Sequence, residues 1–281
     1  MAKTRQTVLI TGCSSGIGRA TAQRLAGRGH TVYATARRLD SIDDLRASGC
    51  KLLALDVTDE GSMTEAVDAV EDAEGAVDAL VNNAGYSQSG AVESIPVESI
   101  RAQFETNVFG LVRMSQLVLP RMRERRAGRI VNIGSMGGKL TFPGGGVYHA
   151  TKHAVEAISD AMRFELAGFG VQVVLLEPGL IKTGFAGTAV GSIADARDGP
   201  YASFNHAVGA ATAGAYEGPM ARLGAGPGVV ARVVEKAITA KRPRARYPIT
   251  PSARIMLTQR ALVPDSLWDR ILASSLPRPG A

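Results

Sequence analysis

The sequence predicts an α/β fold: a doubly wound parallel sheet in a single domain, with a helical capping segment inserted late in the chain. Three observations predict it. Short apolar, β-branched runs alternate with longer amphipathic stretches through the first two-thirds of the chain. The first run leads directly into a glycine-rich turn and a helical pattern. No linker divides the 281 residues, and α/β chains of about this length commonly fold as one unit. The balance of 45% hydrophobic and 21% charged residues suits a globular chain with one large core.

The strand candidates, in order, are "TVLIT" (7–11), "TVYAT" (31–35), "KLLALDV" (51–57), "ALVNNAG" (79–85), "RIVNIGS" (129–135) and "VQVVLLEPG" (171–179). They are continuously apolar, as in a parallel sheet covered by helices on both faces. Among the helices, "GRATAQRLAGRG" (18–29) sets Ala22, Leu25 and Ala26 on one face and stops at Gly29. "SMTEAVDAVEDA" (62–73) opens on a Ser cap and repeats Met63, Ala66, Val67 and Val70 at helical spacing. In "VRMSQLVLPRM" (112–122) apolar residues cover much of the surface, which fits either a wide core stripe or a second buried face. Right-handed crossovers then give the doubly wound order.

The periodicity fades after Gly184. Residues 184–226, rich in Gly and Ala, form a candidate substrate-loop segment within the same domain. Residues 228–241 read as one more helix. Residues 243–281 contain Pro243, Pro248, Pro251, Pro264, Pro277 and Pro279, and read as a tail of extended turns around one short helix.

The apolar run at Val8–Ile10 is far shorter than the roughly 7–15 residues of a signal-peptide core. No stretch approaches the roughly 18 apolar residues of a membrane span, so a cytoplasmic location is the expectation. Cys13 and Cys50 suggest neither a disulfide framework nor a zinc site, and no metal is expected. Cys13 reads as a small side chain in a tight loop. The net charge of +6 raises nucleic-acid binding as a possibility. The basic clusters at 121–129 and 241–247 carry neither interleaved aromatics nor a helix-turn-helix pattern, so they read as solvated helix ends, with no nucleic-acid partner. A basic balance also suits a polyanionic cofactor.

"LITGCSSGIGRA" (9–20) supplies such a site. Gly12 permits a sharp turn, and Gly16 and Gly18 permit close backbone approach. The free N–H groups and positive dipole at the helix start favour a phosphate. The second strand ends "YATARRLD", with Ala36 where an acid would hold a ribose 2′-hydroxyl. Arg37 and Arg38 follow, and a guanidinium binds a 2′-phosphate through forked hydrogen bonds. The expectation is NADP(H) preferred over NAD(H).

In "VYHATKHAVE" (147–156), Tyr148 and Lys152 lie four residues apart and share one helix face. That spacing alone is common by chance. It does not stand alone. Thr11-Gly12-(Cys13-Ser14-Ser15)-Gly16-Ile17-Gly18, Asp56-Val57, Asn82-Asn83-Ala84-Gly85, Asn107, Ser135, Tyr148-x-x-x-Lys152 and Pro178-Gly179, with Thr183 beyond, occur in one order across residues 7–184. In that order the sequence resembles the short-chain dehydrogenase/reductase family. "TGCSSGIG", "VYATAR", "LLEPG" and "GSMGGKLTFPGGGVYHATKHAVE" look like its 17β-hydroxysteroid dehydrogenase and retinol dehydrogenase group.

The resemblance implies a Rossmann fold. It implies that Asn107, Ser135, Tyr148 and Lys152 are catalytic. It places the cofactor on Gly12, Ser14, Ser15, Gly16, Ile17, Gly18, Arg37, Arg38, Asp56, Val57, Asn83, Ala84, Gly85, Tyr148, Lys152, Pro178, Gly179, Ile181 and Thr183. Lys152 would also hold the nicotinamide ribose, and Asn107 would order a water relaying protons to it. Relatives associate through the helices carrying Asn107 and Tyr148, so a homodimer or homotetramer is expected.

A neighbouring ammonium lowers a tyrosine from its usual value near 10, so Tyr148 is expected to exchange a proton near neutral pH. Ser135, at a strand end, would steady the substrate oxygen as it gains negative charge. His149 reads as a surface or subunit contact and His206 as a bystander. Phe142, Pro143, Val147, Phe185 and Met220 fit pocket lining and core packing equally.

The reading that results is an NADP(H)-dependent oxidoreductase interconverting a ketone or aldehyde and an alcohol on a small hydrophobic substrate. The low charge of residues 184–226 supports the apolar substrate. One alternative is an NADP(H)-binding sensor, which the presence of Ser135, Tyr148 and Lys152 opposes. Another is a sugar-nucleotide epimerase or dehydratase, which the glycine spacing opposes.

Overall fold

The computed structural model describes residues 5–193 and 199–279. Its centre is a seven-stranded parallel sheet: β1 (Thr7–Ile10), β2 (Thr31–Ala36), β3 (Lys51–Ala54), β4 (Ala79–Asn82), β5 (Gly128–Ile133), β6 (Val171–Glu177) and β7 (Arg246–Pro248). The strand order is β3-β2-β1-β4-β5-β6-β7. The register runs Val8 against Val32 and Ala79, Leu80 against Ile130, and Val131 against Val174.

Successive strand residues face opposite ways, and both faces are covered. Val8 and Ile10 join Ala22 and Leu25 of α1 (Gly16–Ala26) and Val230 and Val234 of α8 (Pro227–Thr239) in one buried layer. Leu9 points to the other layer, with Met63 and Val67 of α2 (Glu60–Glu74), and Met114 and Val118 of α4 (Gly110–Glu124), which follows α3 (Val97–Phe104). The foot of α5 (Gly146–Ala167) completes that layer with Leu166. Each fully buried leucine in these layers contributes roughly 1.5–3 kcal/mol.

The expected elements form where the apolar periodicity is clear. Helix α4 buries Leu111, Met114, Ser115, Val118 and Met122 in a single stripe, so the stripe reading holds within the chain. Asp59 caps α2 by accepting from the Ser62 backbone at 2.7 Å, so the Ser expected to open the helix lies one turn inside it. Between α3 and α4 the helix widens into a π turn at Glu105–Phe109 with buried Asn107 at its middle.

Differences appear late in the chain. The segment after Gly184 contains α6 (Phe185–Gly191) and α7 (Ala202–Glu217), and residues 194–198 of it lie outside the described residues. Its base is stitched: Ala225 donates to Leu180 at 3.0 Å, and Lys182 to Ala225 at 2.8 Å. The proline-rich tail supplies β7 and two helices, α9 (Pro251–Leu262) and α10 (Asp265–Ala273), not one short helix. Pro251 starts α9 and Pro264 caps α10, positions where the missing N–H costs nothing. The prolines punctuate helices there instead of preventing them. Among the described residues, no helix is long and apolar enough to cross a membrane.

Candidate active site

In open α/β sheets, ligands sit outside the carboxyl ends of the strands where the order reverses. Here that point lies between β1 and β4. A cavity of about 2150 Å³ opens there, far above the roughly 300–1,000 Å³ of a single small-ligand pocket.

At one end lies the turn from β1 into α1. Gly12 has φ +72°, and a Cβ there would sit 2.9 Å from the Ala84 Cα. Asn83 holds the turn against β4 by donating to the Thr11 and Gly12 carbonyls, both at 2.9 Å. Ser15, at the N-cap of α1, makes no side-chain cap bond, and no acid occupies the first turn. The N–H groups there remain available to an anion, which fits a dinucleotide's phosphates. Gly18 does not line the cavity. A Cβ on it would meet the Gly12 carbonyl oxygen at 2.3 Å, so its role is close packing of α1 on the turn. Arg37 and Arg38 are exposed and line the cavity, with Arg38 3.6 Å from Asp40. Asp56 accepts from Thr58 through Oδ1 at 3.0 and 2.8 Å, and with Val57 lines the same end.

The other end gathers Ser135, Tyr148 and Lys152. Ser135 follows β5. It is fixed on both sides, by Gly134 donating to Leu176 at 2.8 Å and Met136 donating to Pro178 at 2.9 Å. This sets it beside Pro178 and Gly179, where Thr250 and Ser252 crowd Gly179 so closely that a Cβ would meet their hydroxyls at 2.3 and 2.5 Å. Ile181 and Thr183 line the cavity beyond. Tyr148 stands on the first turn of α5, its ring 5.4 Å from that of Phe185.

The expected lowering of the Tyr148 pKa is not what this arrangement produces. Burial of the phenol raises it, and a hydrogen bond with Ser135 opposes that rise only in part. The ammonium of Lys152 is committed elsewhere: it donates to the Ile133 carbonyl at 2.8 Å and lies 5.8 Å from the centre of the Tyr148 ring. Lys152 is itself buried, and burial lowers its pKa from 10.5 to about 8. Desolvation of the half-buried phenol thus favours its protonated form.

Asn107 does not line the cavity, and its side-chain bonds do not reach Lys152. It accepts from the Tyr86 N–H at 3.1 Å and donates to the Tyr86 carbonyl at 2.9 Å and to Thr151 at 3.1 Å. Thr151 donates to the Tyr148 carbonyl at 2.7 Å, so Asn107 ties the segment after β4 to the turn bearing Tyr148.

His149 is buried and not on the surface. Its Nδ1–H donates to the Gly137 carbonyl at 3.0 Å, and its ring fills space that a Cβ on Gly137 or Gly145 would occupy. Burial depresses it to about 4, so it stays neutral. Phe142, Pro143, Phe185 and Met220 line the cavity, while Val147 is core and His206 is exposed on α7. Sequence reasoning missed Tyr86 and Tyr216, and the wall supplied by α9 and α10. The spacing of Trp268, Ile271 and Leu272 was the available signal for that wall. The prolines around it obscured it.

Beneath the site runs a buried ionic network. Glu177 ends β6 and lies 2.6 Å from Lys139. Glu156, one turn after Lys152, accepts from Arg246 of β7 at 3.1 Å. Burial and the adjacent Glu177 carboxylate raise Glu156 to about 7.

A family model described as short chain dehydrogenase matches residues 6–191. The 3-ketodihydrosphingosine reductase of Bacteroides thetaiotaomicron is 43% identical over 181 residues, which span 64% of this chain and 65% of that protein. The NADPH-dependent 3-dehydrocapnine reductase of Ornithobacterium rhinotracheale is 32% identical over 279 residues, 96% of this chain and 97% of that protein. Among solved structures, a short-chain dehydrogenase from Streptomyces avermitilis has a TM-score of 0.78 at 32% identity, covering 95% of this chain and 96% of that one.

Proposed function

Since the chain belongs to the short chain dehydrogenase family and is an oxidoreductase of that family, we propose that it interconverts a ketone or aldehyde and an alcohol, using NADP(H) in preference to NAD(H), on a hydrophobic substrate. One observation carries this reading: Ser135, Tyr148 and Lys152 line the same cavity as the uncapped start of α1.

The α1 turn, from Gly12 through Ser14, Ser15, Gly16 and Ile17, would hold the pyrophosphate, with Gly18 keeping the helix close. Asp56 and Val57 would meet the adenine half. Asn83, Ala84, Gly85, Pro178, Gly179, Ile181 and Thr183 would enclose the nicotinamide half. Arg37 and Arg38, in place of an acid after β2, support the 2′-phosphate, as does similarity to a relative named NADPH-dependent. When bound, the nicotinamide supplies the hydride.

The chain's own groups do the rest. Ser135 donates a hydrogen bond to the carbonyl oxygen, where negative charge develops. Tyr148, kept protonated by burial, delivers its proton to that oxygen. Lys152 supports the phenol from the ring side. Asn107 acts as a positioning residue through Tyr86 and Thr151. Phe164, 89% exposed on α5, and Phe109, 55% exposed just before α4, support a homodimer or homotetramer.

The test is NADPH oxidation across a panel of neutral ketones. Tyr148→Phe should lower kcat by about 10²–10⁴-fold while NADPH still binds. Turnover equal to wild type in that variant would overturn the assignment.

A further inference from the structure

The last helices of the chain have a face that the catalytic reading does not use. Met256, Gln259 and Val263 recur three and four residues apart on α9 and just beyond it, and Trp268, Ile271 and Leu272 do so on α10. These spacings put each set on one side of its helix, and both sides line the cavity. Val208, Ala211, Thr212 and Ala215 form one face of α7 and line it too.

The α10 wall touches the site at one end and α7 at the other. The Trp268 ring lies 6.3 Å from that of Phe142, which is 5.9 Å from that of His149 beside Tyr148. Leu276 packs against the cluster of Phe204 and Val208. Ile271 is 44% exposed and also lines the cavity, so the space opens to solvent beside α10.

Charge is distributed unevenly along the lining. Arg37, Arg38, Asp56 and Glu105 belong to the cofactor half, after β2, after β3 and on the π turn. Among the described residues, the walls from α7, α9 and α10 bring only apolar and uncharged polar side chains. Between these walls a charged group would lose water without an ionic partner among the lining side chains, at high cost, although the Arg260 guanidinium lies 5.8 Å from the centre of the Trp268 ring.

Resting on the reductase reading, we propose that the substrate is a neutral ketone with a long aliphatic chain. Its carbonyl sits at Ser135 and Tyr148, and its chain runs between α7 and the α9–α10 pair past Trp268.

Trp268 is the chain's single tryptophan, so its emission reports occupancy of this wall independently of turnover. Methyl ketones of four to fourteen carbons are compared by NADPH oxidation and by Trp268 fluorescence. Two further ketones, matched in length, carry a terminal amine or carboxylate. We expect kcat/KM to rise about two- to four-fold per methylene, the upper figure being ~0.8 kcal/mol per buried CH₂ converted to a rate ratio. We also expect a saturable fluorescence change with long neutral ketones only. Leu272→Arg on one wall and Ala215→Phe on the other should each cut the ratio of long- to short-chain kcat/KM by about ten-fold or more. Melting temperature and NADPH binding verify that both variants fold.

Reduction of short ketones with no gain from chain length overturns this inference and leaves the reductase reading standing. So does equal turnover of the charged ketones. A saturable Trp268 response without reduction of any ketone overturns the reductase reading instead. Neither signal from any ketone overturns both.

Discussion

Lys152 carries an ammonium into a site where it is 7% exposed, with the Ile133 carbonyl as its hydrogen-bond acceptor. Its fall from 10.5 to about 8 corresponds to ~3 kcal/mol of penalty on the charged form at 1.36 kcal/mol per unit. Below pH 8 both folded and unfolded chains are protonated, so the folded protein bears that penalty in full. Between pH 8 and 10.5 the unfolded chain binds more protons, so stability rises with pH. Lys152→Met should therefore stabilise the cofactor-free protein by about 1–3 kcal/mol near neutral pH and flatten the rise above pH 8, while removing activity. Urea unfolding at several pH values checks this. A variant less stable than wild type at pH 7 would contradict it.

Arg37 is a simpler case: an exposed guanidinium at the end of β2. Arg37→Ala should weaken NADPH binding by about 1.5–3 kcal/mol and leave NADH nearly untouched, as for a hydrogen bond to a charged group. Calorimetric titration with both cofactors decides, and equal losses would remove Arg37 from the 2′-phosphate.

Elements meet at the ionic network below the site. Lys139 comes from the turn after Ser135, Glu177 from the end of β6, Glu156 from α5 and Arg246 from β7. Together they brace the serine turn, the Pro178–Gly179 step and the catalytic helix against one another. Burial first, and then repulsion from the neighbouring Glu177 carboxylate, push Glu156 up from 4.5 to about 7. Between those values the folded chain binds more protons than the unfolded one, so stability falls as pH rises through the window. Glu156→Gln should flatten that fall by about 1–2 kcal/mol between pH 5 and 8, read from denaturant midpoints. An unchanged pH profile would show that Glu156 is not the titrating group.

Across the whole molecule, the sheet's two buried layers set the site by aligning the carboxyl ends of β1, β2, β4, β5 and β6. The α6–α7 segment and the α9–α10 pair then stand over those ends from different parts of the sequence. The parallel sheet, the glycine turn and the Tyr148–Lys152 helix were legible because each depends on local periodicity or on one special residue. Gly12 needs positive φ, and continuous runs such as Val8–Ile10 need cover on both faces. The second tail helix, the buried position of His149 and the structural role of Gly18 were not legible. Each depends on residues distant in sequence, such as Phe142 against Trp268 and Gly12 against Gly18.

The sequence by itself determined the α/β class and the alternation of elements through β6, because these follow from hydrophobic period, while the polar groups at the site were named by the ordered motifs that resemble the family's. Only the tertiary structure decided the direction of the Tyr148 shift. Spacing on a helix says that an ammonium is near a phenol. It cannot say that the ammonium donates to Ile133 while burial dominates the phenol. The far wall was likewise a tertiary matter, since helices after β7 reach the cavity only once β6 and β7 pair.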